Sequence, residues 1–205
     1  MRRTKDDAEQ TRTAILDAAE VMFCARGIDG TTLEAISRSA GVTRGALYWH
    51  FRDKTDLLIA LYDRCKMARH ALLEQDIRAG HSDPLGLLEQ SALDYLTRFE
   101  ADKSAQHLFQ IMSGHSSSNE AREWLEKTNC DIYALLKQAA ILAGDKALLA
   151  PGFTPKEAAV LLMAVMNGLL SEWLRSNRAF SLTETGGKLL RAQFALLRNG
   201  TAPPD

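Results

Sequence analysis

Residues 31–54 of the chain read TTLEAISRSAGVTRGALYWHFRDK, and this stretch decides the fold. Its first apolar residues recur at the spacing of one helix face: Leu33, Ile36 and Ala40. Thr31 and Glu34 are placed as a capping box, the pairing that satisfies backbone N–H groups at a helix start. The first half of the stretch therefore predicts a short helix that begins near these two residues.

A tight turn and a second helix follow. Gly41 stands where the first helix must end and the chain must reverse, a position that favours a positive φ. Thr43 can cap the next helix, which carries basic and aromatic side chains. Two short helices joined by a glycine turn describe a helix-turn-helix, whose second helix enters the major groove of DNA. The alternative interpretation is an ordinary helical hairpin within a bundle.

A longer set of residues surrounds this motif at defined spacings: Ile15, Leu16, Ala18, Ala19, Phe23, Gly27, Thr31, Thr32, Ile36, Ala40, Gly41, Val42, Thr43, Gly45, Tyr48, His50, Phe51, Lys54 and Leu57. At these positions the first quarter of the chain resembles the TetR family of transcriptional repressors. The string GVTRGALYWHF, residues 41–51, is especially similar to the multidrug-efflux (AcrR-like) branch. Residues 163–174, which end in NGLLSEWL, resemble the segment that precedes the last helix in that branch.

Composition is consistent with this reading. The chain has 205 residues and is 46% hydrophobic and 7% aromatic, as is typical of a helix-rich protein with one or two compact units. Its formal net charge is −1, so any affinity for DNA must come from where the basic residues stand. They cluster at two places: Arg2, Arg3 and Lys5, and then Arg44, Arg52 and Lys54.

Cysteine usage and hydropathy indicate the compartment. The three cysteines are far apart and lack metal-ligand spacing: Cys24, Cys65 and Cys130. This pattern predicts reduced thiols in a cytoplasmic protein, with burial favoured over a redox-sensing role. The longest apolar stretch, residues 158–170, is interrupted by Asn167 and Gly168 and is expected to be too short to span a membrane. No apolar signal region follows Arg2 and Arg3, so no export signal is expected.

Most of the remaining chain has helical periodicity. Helices are predicted at residues 8–26, 53–78, 84–100, 103–112, 119–143, 155–176 and 182–198. No breaker interrupts residues 53–78, which are therefore expected to form one rigid connecting helix. Gly186 and Gly187 stand early in the last helix, where either the first turn frays or two backbones approach closely.

The expected domains are a helix-turn-helix DNA-binding domain at residues 1–53 and a C-terminal domain at residues 54–205. The resemblance implies an all-α fold of about nine helices. In it, a three-helix head is joined by a long helix to a bundle that binds a ligand and forms the dimer.

Nine residues are candidate DNA contacts: Thr32, Thr43, Arg44, Gly45, Ala46, Tyr48, Trp49, His50 and Lys54. Arg44 has the reach and the forked donor geometry to read guanine, with a phosphate contact as the alternative. Gly45 and Ala46 are small enough for the helix backbone to approach the groove floor. Thr32 can offer its hydroxyl or backbone N–H to a phosphate at a helix N-terminus.

The resemblance implies that Tyr48, His50 and Lys54 contact DNA phosphates. Trp49 either stacks against the sugar-phosphate backbone or supports the head. Leu47 and Phe51 are expected in the core instead.

The resemblance also implies a homodimer through the last two helices. Their apolar faces are at bundle spacing: Leu161, Leu162, Val165 and Leu169, then Leu189, Leu190, Phe194 and Leu197. Some of these residues must serve the core of the subunit. A two-fold dimer presents two recognition helices about 34–36 Å apart, so the DNA target is expected to be a near-palindrome.

A small lipophilic effector is the other expected partner. The resemblance implies a cavity in the C-terminal bundle, where binding would move the heads away from operator spacing. The candidate lining residues are Phe109, Met112, Trp124, Tyr133, Met163, Met166 and Asn167. Met and aromatic side chains suit such a pocket, although packing in a plain core is the favoured alternative for each of them. No acidic counter-ion for a cationic ligand stands out.

An enzyme is the rival from another class. The sequence shows no nucleophile–base pairing, no glycine-rich phosphate loop and no metal-ligand spacing, so no catalytic residue, metal or cofactor is predicted. Together with the helix-turn-helix motif, the resemblance implies a dimeric, ligand-responsive repressor, expected to control an efflux operon. The alternatives are a regulator of the same fold triggered by thiol oxidation or by a specific metabolite, and an activator.

Overall fold

The computed structural model describes residues 5–65, 68–114 and 116–199, with the backbone alone for residues 5 and 68–72. These residues form ten α-helices and one π-helical turn. Apart from an isolated bridge between Leu149 and Arg198, they contain no β-structure. The predicted all-α fold is confirmed.

The helices follow one another with short connections. Their bounds are α1 Lys5–Arg26, α2 Leu33–Ser39, α3 Arg44–His50, α4 Lys54–Cys65, α5 Ala68–Arg78, α6 Pro84–Ala101, α7 Lys103–Ser113, α8 Asn119–Asp145, α9 Pro155–Arg175, the π-helical turn Leu182–Gly186 and α10 Gly187–Leu197. Thr43 caps α3 as predicted, and Asp53, Asp83 and Thr154 likewise each accept a backbone N–H at a helix start.

The capping box predicted at Thr31 and Glu34 is wrong. Helix α2 begins one residue later than predicted. Thr32 is its cap and accepts the backbone N–H of Ala35 at 3.1 Å. Thr31 is buried instead, and its hydroxyl donates to the carbonyl of Gly27 at 2.8 Å. The sequence offered two adjacent threonines, and burial of the first leaves the second to cap the helix.

The connecting helix is described in two parts. Helix α4 ends at Cys65 and α5 begins at Ala68, and residues 66 and 67 between them lie outside the described part of the chain. This division accounts for ten helices where about nine were expected. Continuity of the helix across this junction stays a prediction.

The chain packs as two compact units. The first comprises residues 1–66 and 103–127, and the second comprises residues 67–102 and 128–205. In the first unit, α1, α2, α3 and α4 surround a core that α7 and the start of α8 complete. This is a division by packing, and the division by function at residue 53 stays a prediction.

The second unit is a bundle of α5, α6, α9, α10 and the rest of α8. The π-helical turn packs on α6, where the Glu100 carboxylate accepts the backbone N–H groups of Leu182 and Thr183, both at 2.8 Å. A Cβ on Gly186 would lie 3.1 Å from the Leu182 side chain and 3.5 Å from that of Leu96. Gly186 is buried, so close approach rather than fraying explains this glycine.

Helix α9 is long and apolar enough to cross a membrane, by length and composition alone. The apolar stretch singled out in the sequence, residues 158–170, is only part of this 21-residue helix. A core helix of a soluble protein passes the same test, and α9 buries Ala158, Ala159, Leu162, Leu170 and Trp173 within the second unit.

Candidate nucleic-acid interface and effector pocket

Helix α3 presents one face to the core and one to solvent. Leu47 is fully buried and Phe51, just after the helix, is 4% exposed, as predicted for core residues. Gly41 has φ +67° and makes the turn that separates α3 from α2. The helix is therefore held by its apolar face, and Arg44, Gly45, Tyr48 and Trp49 lie exposed on the other.

Arg44 and Tyr48 interact on this exposed face. The Arg44 guanidinium lies over the Tyr48 ring, 5.5 Å from its centroid. A hydrogen bond with the Tyr48 side chain raises the pKa of Arg44, which is charged at physiological pH in any case. The arrangement places a cation at the start of α3 with its guanidinium over an aromatic ring.

Trp49 is the most exposed of the large apolar side chains on the described residues, at 74%. Its ring meets that of His50 edge-on, with centroids 4.5 Å apart. His50 is half-buried. An exposed tryptophan beside a cation suits a surface that contacts a partner, because its large ring gains burial only when something covers it.

Lys54 and Arg52 both have partners within the chain. The Lys54 ammonium donates to the carbonyl of Ile28 at 2.7 Å, which ties the start of α4 to the loop after α1. Arg52 makes a two-point ion pair with Asp56. The N-terminal basic cluster noted in the sequence cannot be placed, because Arg2, Arg3 and the side chain of Lys5 lie outside the described part of the chain.

The remaining candidate contacts are small or capping residues. Thr32 and Thr43 are exposed, and their hydroxyls accept the backbone N–H of Ala35 and Ala46, respectively, in the first turn of each helix. Gly45 has open space around its Cβ position, with nothing within 4 Å. Ala46 is half-buried.

Polar contacts that sequence reasoning missed tie α1 to α4 and α7 within the first unit. Glu20 is 7% exposed, and its carboxylate accepts from Arg64 at 2.5 Å and contacts His107 Nδ1 at 2.8 Å. Arg64 also pairs with Asp17. A carboxylate on an apolar face of α1 was the one available signal, but its partners are far away in sequence.

A second link joins the turn after α1 to the loop before α8. The Asp29 carboxylate accepts the backbone N–H of Ser117 at 2.5 Å and the Ser116 hydroxyl at 3.0 Å. These hydrogen bonds, the backbone one first, lower the pKa of Asp29. Polar contacts therefore hold α7 and this loop to the unit that contains the helix-turn-helix.

Among the three cysteines, Cys24 is the one whose contacts bear on its reactivity. Burial, and then the nearby Glu20 carboxylate, raise the pKa of its thiol, which donates to the Gln110 side chain at 3.0 Å. A raised pKa lowers the thiolate fraction and with it reactivity towards oxidants. Cys65 is half-buried and Cys130 is exposed.

Among the described residues, no group of three His, Cys, Asp or Glu could hold a metal ion.

The second unit contains a cavity of about 220 Å³ between α5, α6, α8, α9 and α10. Three of the predicted lining residues border it: Met163, Met166 and Asn167. Its floor is apolar, formed by Leu88, Leu162, Leu190 and Phe194, which are buried. The cavity thus combines an apolar body with few polar groups, as ligand pockets do.

The structure places the other four predicted lining residues elsewhere. Met112 and Trp124 pack against the core of the first unit, where Trp124 meets Tyr62 edge-on at 5.3 Å. Phe109 also belongs to the first unit. Tyr133 lies on α8 in the second unit but is not among the residues that border the cavity.

The apolar faces of α9 and α10 are divided between core and surface. Leu162, Leu190, Phe194 and Leu197 are buried inside the subunit, so they are unavailable to a partner. Three large apolar side chains stand exposed on these helices: Val160 at 51%, Leu189 at 49% and Leu196 at 56%.

A helix-turn-helix with a basic and aromatic face, in an all-α chain with an apolar cavity, defines the class of helix-turn-helix DNA-binding regulators. Residues 15–61 match the family described as bacterial regulatory proteins, tetR family. The repressor BepR of Brucella suis biovar 1 (strain 1330) is 35% identical over 202 residues, 97% of this chain and 97% of BepR.

Solved structures give the same answer. NalD, the secondary repressor of the MexAB-OprM multidrug efflux pump in Pseudomonas aeruginosa, aligns with a TM-score of 0.82 at 33% identity, over 96% of this chain and 100% of NalD. SmeT in complex with triclosan aligns with a TM-score of 0.78 at 29% identity, over 95% of this chain and 98% of SmeT. SmeT is the repressor of the Stenotrophomonas maltophilia pump SmeDEF.

The chain belongs to the tetR family of bacterial regulatory proteins. The predicted family and the predicted relationship to efflux-pump repressors are confirmed. Because the relatives are transcriptional regulators, the prediction that the chain is not an enzyme is also confirmed.

Proposed function

We propose that this protein is a dimeric repressor that binds a near-palindromic operator through α3 and is released by a small lipophilic effector. The observation that carries the proposal is the exposed face of α3, where a charged guanidinium and a 74% exposed tryptophan stand on a helix-turn-helix. Relatives that repress multidrug efflux pumps support control of an efflux operon. A regulator that binds chromosomal DNA works in the cytoplasm.

On DNA, Arg44 reads a base edge in the major groove, held in place by Tyr48. Lys54 and His50 bind phosphates, for which the Lys54 ammonium exchanges the Ile28 carbonyl for a phosphate oxygen. Thr32 and Thr43 contact DNA from the N-termini of α2 and α3. Gly45 and Ala46 allow close approach, and Trp49 packs on the sugar-phosphate backbone.

The dimer forms through α9 and α10. Val160, Leu189 and Leu196 are exposed there, and an apolar side chain that solvent surrounds in the monomer is stabilised when a second copy covers it. Residues 54–205 thus bind ligand and form the dimer, while residues 1–53 bind DNA. Two heads about 34–36 Å apart then require a two-fold operator.

The effector occupies the cavity bordered by Met163, Met166 and Asn167. Its apolar floor supplies affinity, and its few polar groups orient the ligand. Occupancy favours a dimer whose heads no longer fit the operator, by differential affinity for the two states. The roles of Phe109, Met112, Trp124 and Tyr133 as ligand contacts stay predictions.

In vitro selection from a library of random duplexes tests the DNA half of the proposal. The full chain should enrich a sequence with two inverted half-sites, and light scattering on a sizing column should report a dimer. Arg44→Ala serves as the matched control, because it should fold normally and lose the enrichment. Enrichment of an asymmetric single half-site, or of no sequence, would contradict the proposal.

A further inference from the structure

We infer that the cavity of the second unit selects uncharged lipophilic molecules and rejects permanent cations. The inference rests on the proposed effector site and names the chemical class that this site accepts. It follows from the side chains that border the cavity and from the partners of four carboxylates on α5 and α6.

The described side chains that border the cavity carry no charge. All but four of them are apolar, and the polar ones are Ser91, Tyr95, Asn129 and Asn167. Hydroxyl and carboxamide groups offer partial charges and hydrogen bonds, but no counter-ion. A permanent cation that left water for this cavity would therefore be desolvated without compensation.

The part of α5 whose side chains lie outside the description does not change this conclusion. Residues 66–72 read KMARHAL and contain no Asp or Glu. Leu73, which follows them, borders the cavity. This segment therefore includes no carboxylate that could serve as a counter-ion.

Four carboxylates on α5 and α6 have partners of their own. On α6, Glu89 pairs with Arg198 at 3.4 Å, Asp94 accepts from Gln90 at 2.9 Å, and Glu100 caps the π-helical turn. On α5, Glu74 pairs with Arg78. None of these four residues is among those that border the cavity.

Aromatic rings are the alternative attraction for a cation. Tyr95 and Phe194 both border the cavity, and a ring face attracts a cation only weakly. The Tyr95 ring already packs against Phe99, with centroids 5.9 Å apart. Burying an uncompensated charge costs more free energy than such a ring face returns.

The distribution of polar groups also indicates the shape of the ligand. Leu88, Leu162 and Phe194 form a buried floor, whereas Asn129 and Asn167 are exposed and therefore stand at the mouth. A carboxamide both donates and accepts. The favoured ligand has an apolar body with a neutral hydroxyl or carbonyl at one end.

A matched pair of dyes tests the charge preference directly. Acridine, at a pH at which it is neutral, and N-methylacridinium have nearly the same shape and differ by a permanent charge. Fluorescence titration of each dye with the full-length protein, without DNA and at moderate salt, should give tighter binding of neutral acridine by roughly tenfold or more. Equal affinities, or tighter binding of the cation, would overturn the inference.

A gain-of-function variant sharpens the test. Ser91 is half-buried in the cavity wall, so Ser91→Asp places a carboxylate there, and Ser91→Asn is the uncharged control of the same shape. The Asp variant should bind N-methylacridinium at least about tenfold more tightly than the Asn variant does. If circular dichroism shows that Ser91→Asp is unfolded, Asn167→Asp compared with the wild-type chain takes its place. No gain in a folded Asp variant would contradict the inference.

Failure here is distinguishable from failure of the proposed function. The same preparation is assayed for selective binding to its selected duplex. If it binds that duplex and takes up neither dye, the inference about the cavity is wrong and the DNA-binding role stands. If acridine binds selectively but no duplex is recognised, the inference is supported while the repressor proposal fails.

Discussion

The Arg44 guanidinium lies 5.5 Å from the centroid of the Tyr48 ring, and the two residues are one helical turn apart on α3. Both side chains are exposed, so the contact orients the arginine without burying it. A long side chain that is already restrained loses less conformational freedom when it binds. The pair thus presents a preorganised cation on the face of α3 that we propose enters the major groove.

Arg44 and Lys54 should differ in how they affect DNA binding. Arg44→Ala should cost about 1–3 kcal/mol on the preferred duplex and relax the base preference, because a forked donor to a base edge is lost. Lys54→Ala should weaken all duplexes alike and reduce the salt slope by about 1, as expected for one phosphate contact. Anisotropy titrations at several salt concentrations measure both. Equal and sequence-independent losses for the two variants would rule out Arg44 as the base reader.

Tyr48 should affect base discrimination by positioning Arg44, in addition to any DNA contact of its own. Tyr48→Phe keeps the ring under the guanidinium and loses only the hydroxyl, whereas Tyr48→Leu removes the ring face. We expect Tyr48→Phe to retain the base preference and Tyr48→Leu to lose about 0.5–1 kcal/mol of discrimination between the preferred and a mismatched duplex. The comparison is made on duplexes that differ at one base pair. Identical discrimination in the two variants would show that stacking does not position Arg44.

Local signals made the helix-turn-helix predictable, since Gly41, Thr43 and the buried Leu47 each act within a few residues. The misassigned cap shows the limit of such signals. Thr31 and Thr32 are chemically alike, and only the tertiary burial of Thr31 decides between them.

The Glu20 cluster was not predictable for a different reason. Its partners Arg64 and His107 stand 44 and 87 residues further along the chain. Nothing in a single sequence pairs residues at such separations. The cavity was not predictable as a whole for the same reason, since residues of five helices far apart in sequence border it. Only the segment around Asn167 could be recognised, because it resembles a segment of the efflux-repressor branch.

Glu20 should be a stability residue of the first unit. Glu20→Gln replaces a buried carboxylate that Arg64 and His107 both contact. The substitution should lower the free energy of unfolding by about 1–3 kcal/mol. Asp17→Asn is the matched control. The Asp17 side chain is 64% exposed, so loss of its pair with Arg64 should cost less than about 1 kcal/mol. Urea unfolding followed by circular dichroism measures both, and equal losses would contradict the ranking.

Glu100 should make stability depend on pH. Burial raises the pKa of this carboxyl, but hydrogen bonds from the Thr183 hydroxyl and from the backbone of Thr183 and Leu182 outweigh burial and lower it. A lowered pKa in the folded state contributes stability above the ordinary glutamate value, about 4.3. That contribution is lost as the pH falls through the folded-state pKa.

The test of this pH dependence compares the wild-type chain with Glu100→Gln. The wild-type chain should be more stable at neutral pH, and the difference in the free energy of unfolding should shrink as the pH falls below about 4. Denaturant unfolding at a series of pH values measures the difference. A difference that is constant, or that grows on acidification, would contradict the assigned role of the carboxylate.

Fluorescence anisotropy of a labelled duplex from the region upstream of this gene tests the central claim most directly. The duplex is compared with a scrambled one of the same composition, and neutral lipophilic compounds such as triclosan are then added. We expect tight binding to the upstream duplex alone and release of the protein when the compounds are added. Equal binding to both duplexes at moderate salt, or selective binding that such compounds leave unchanged, would contradict this claim.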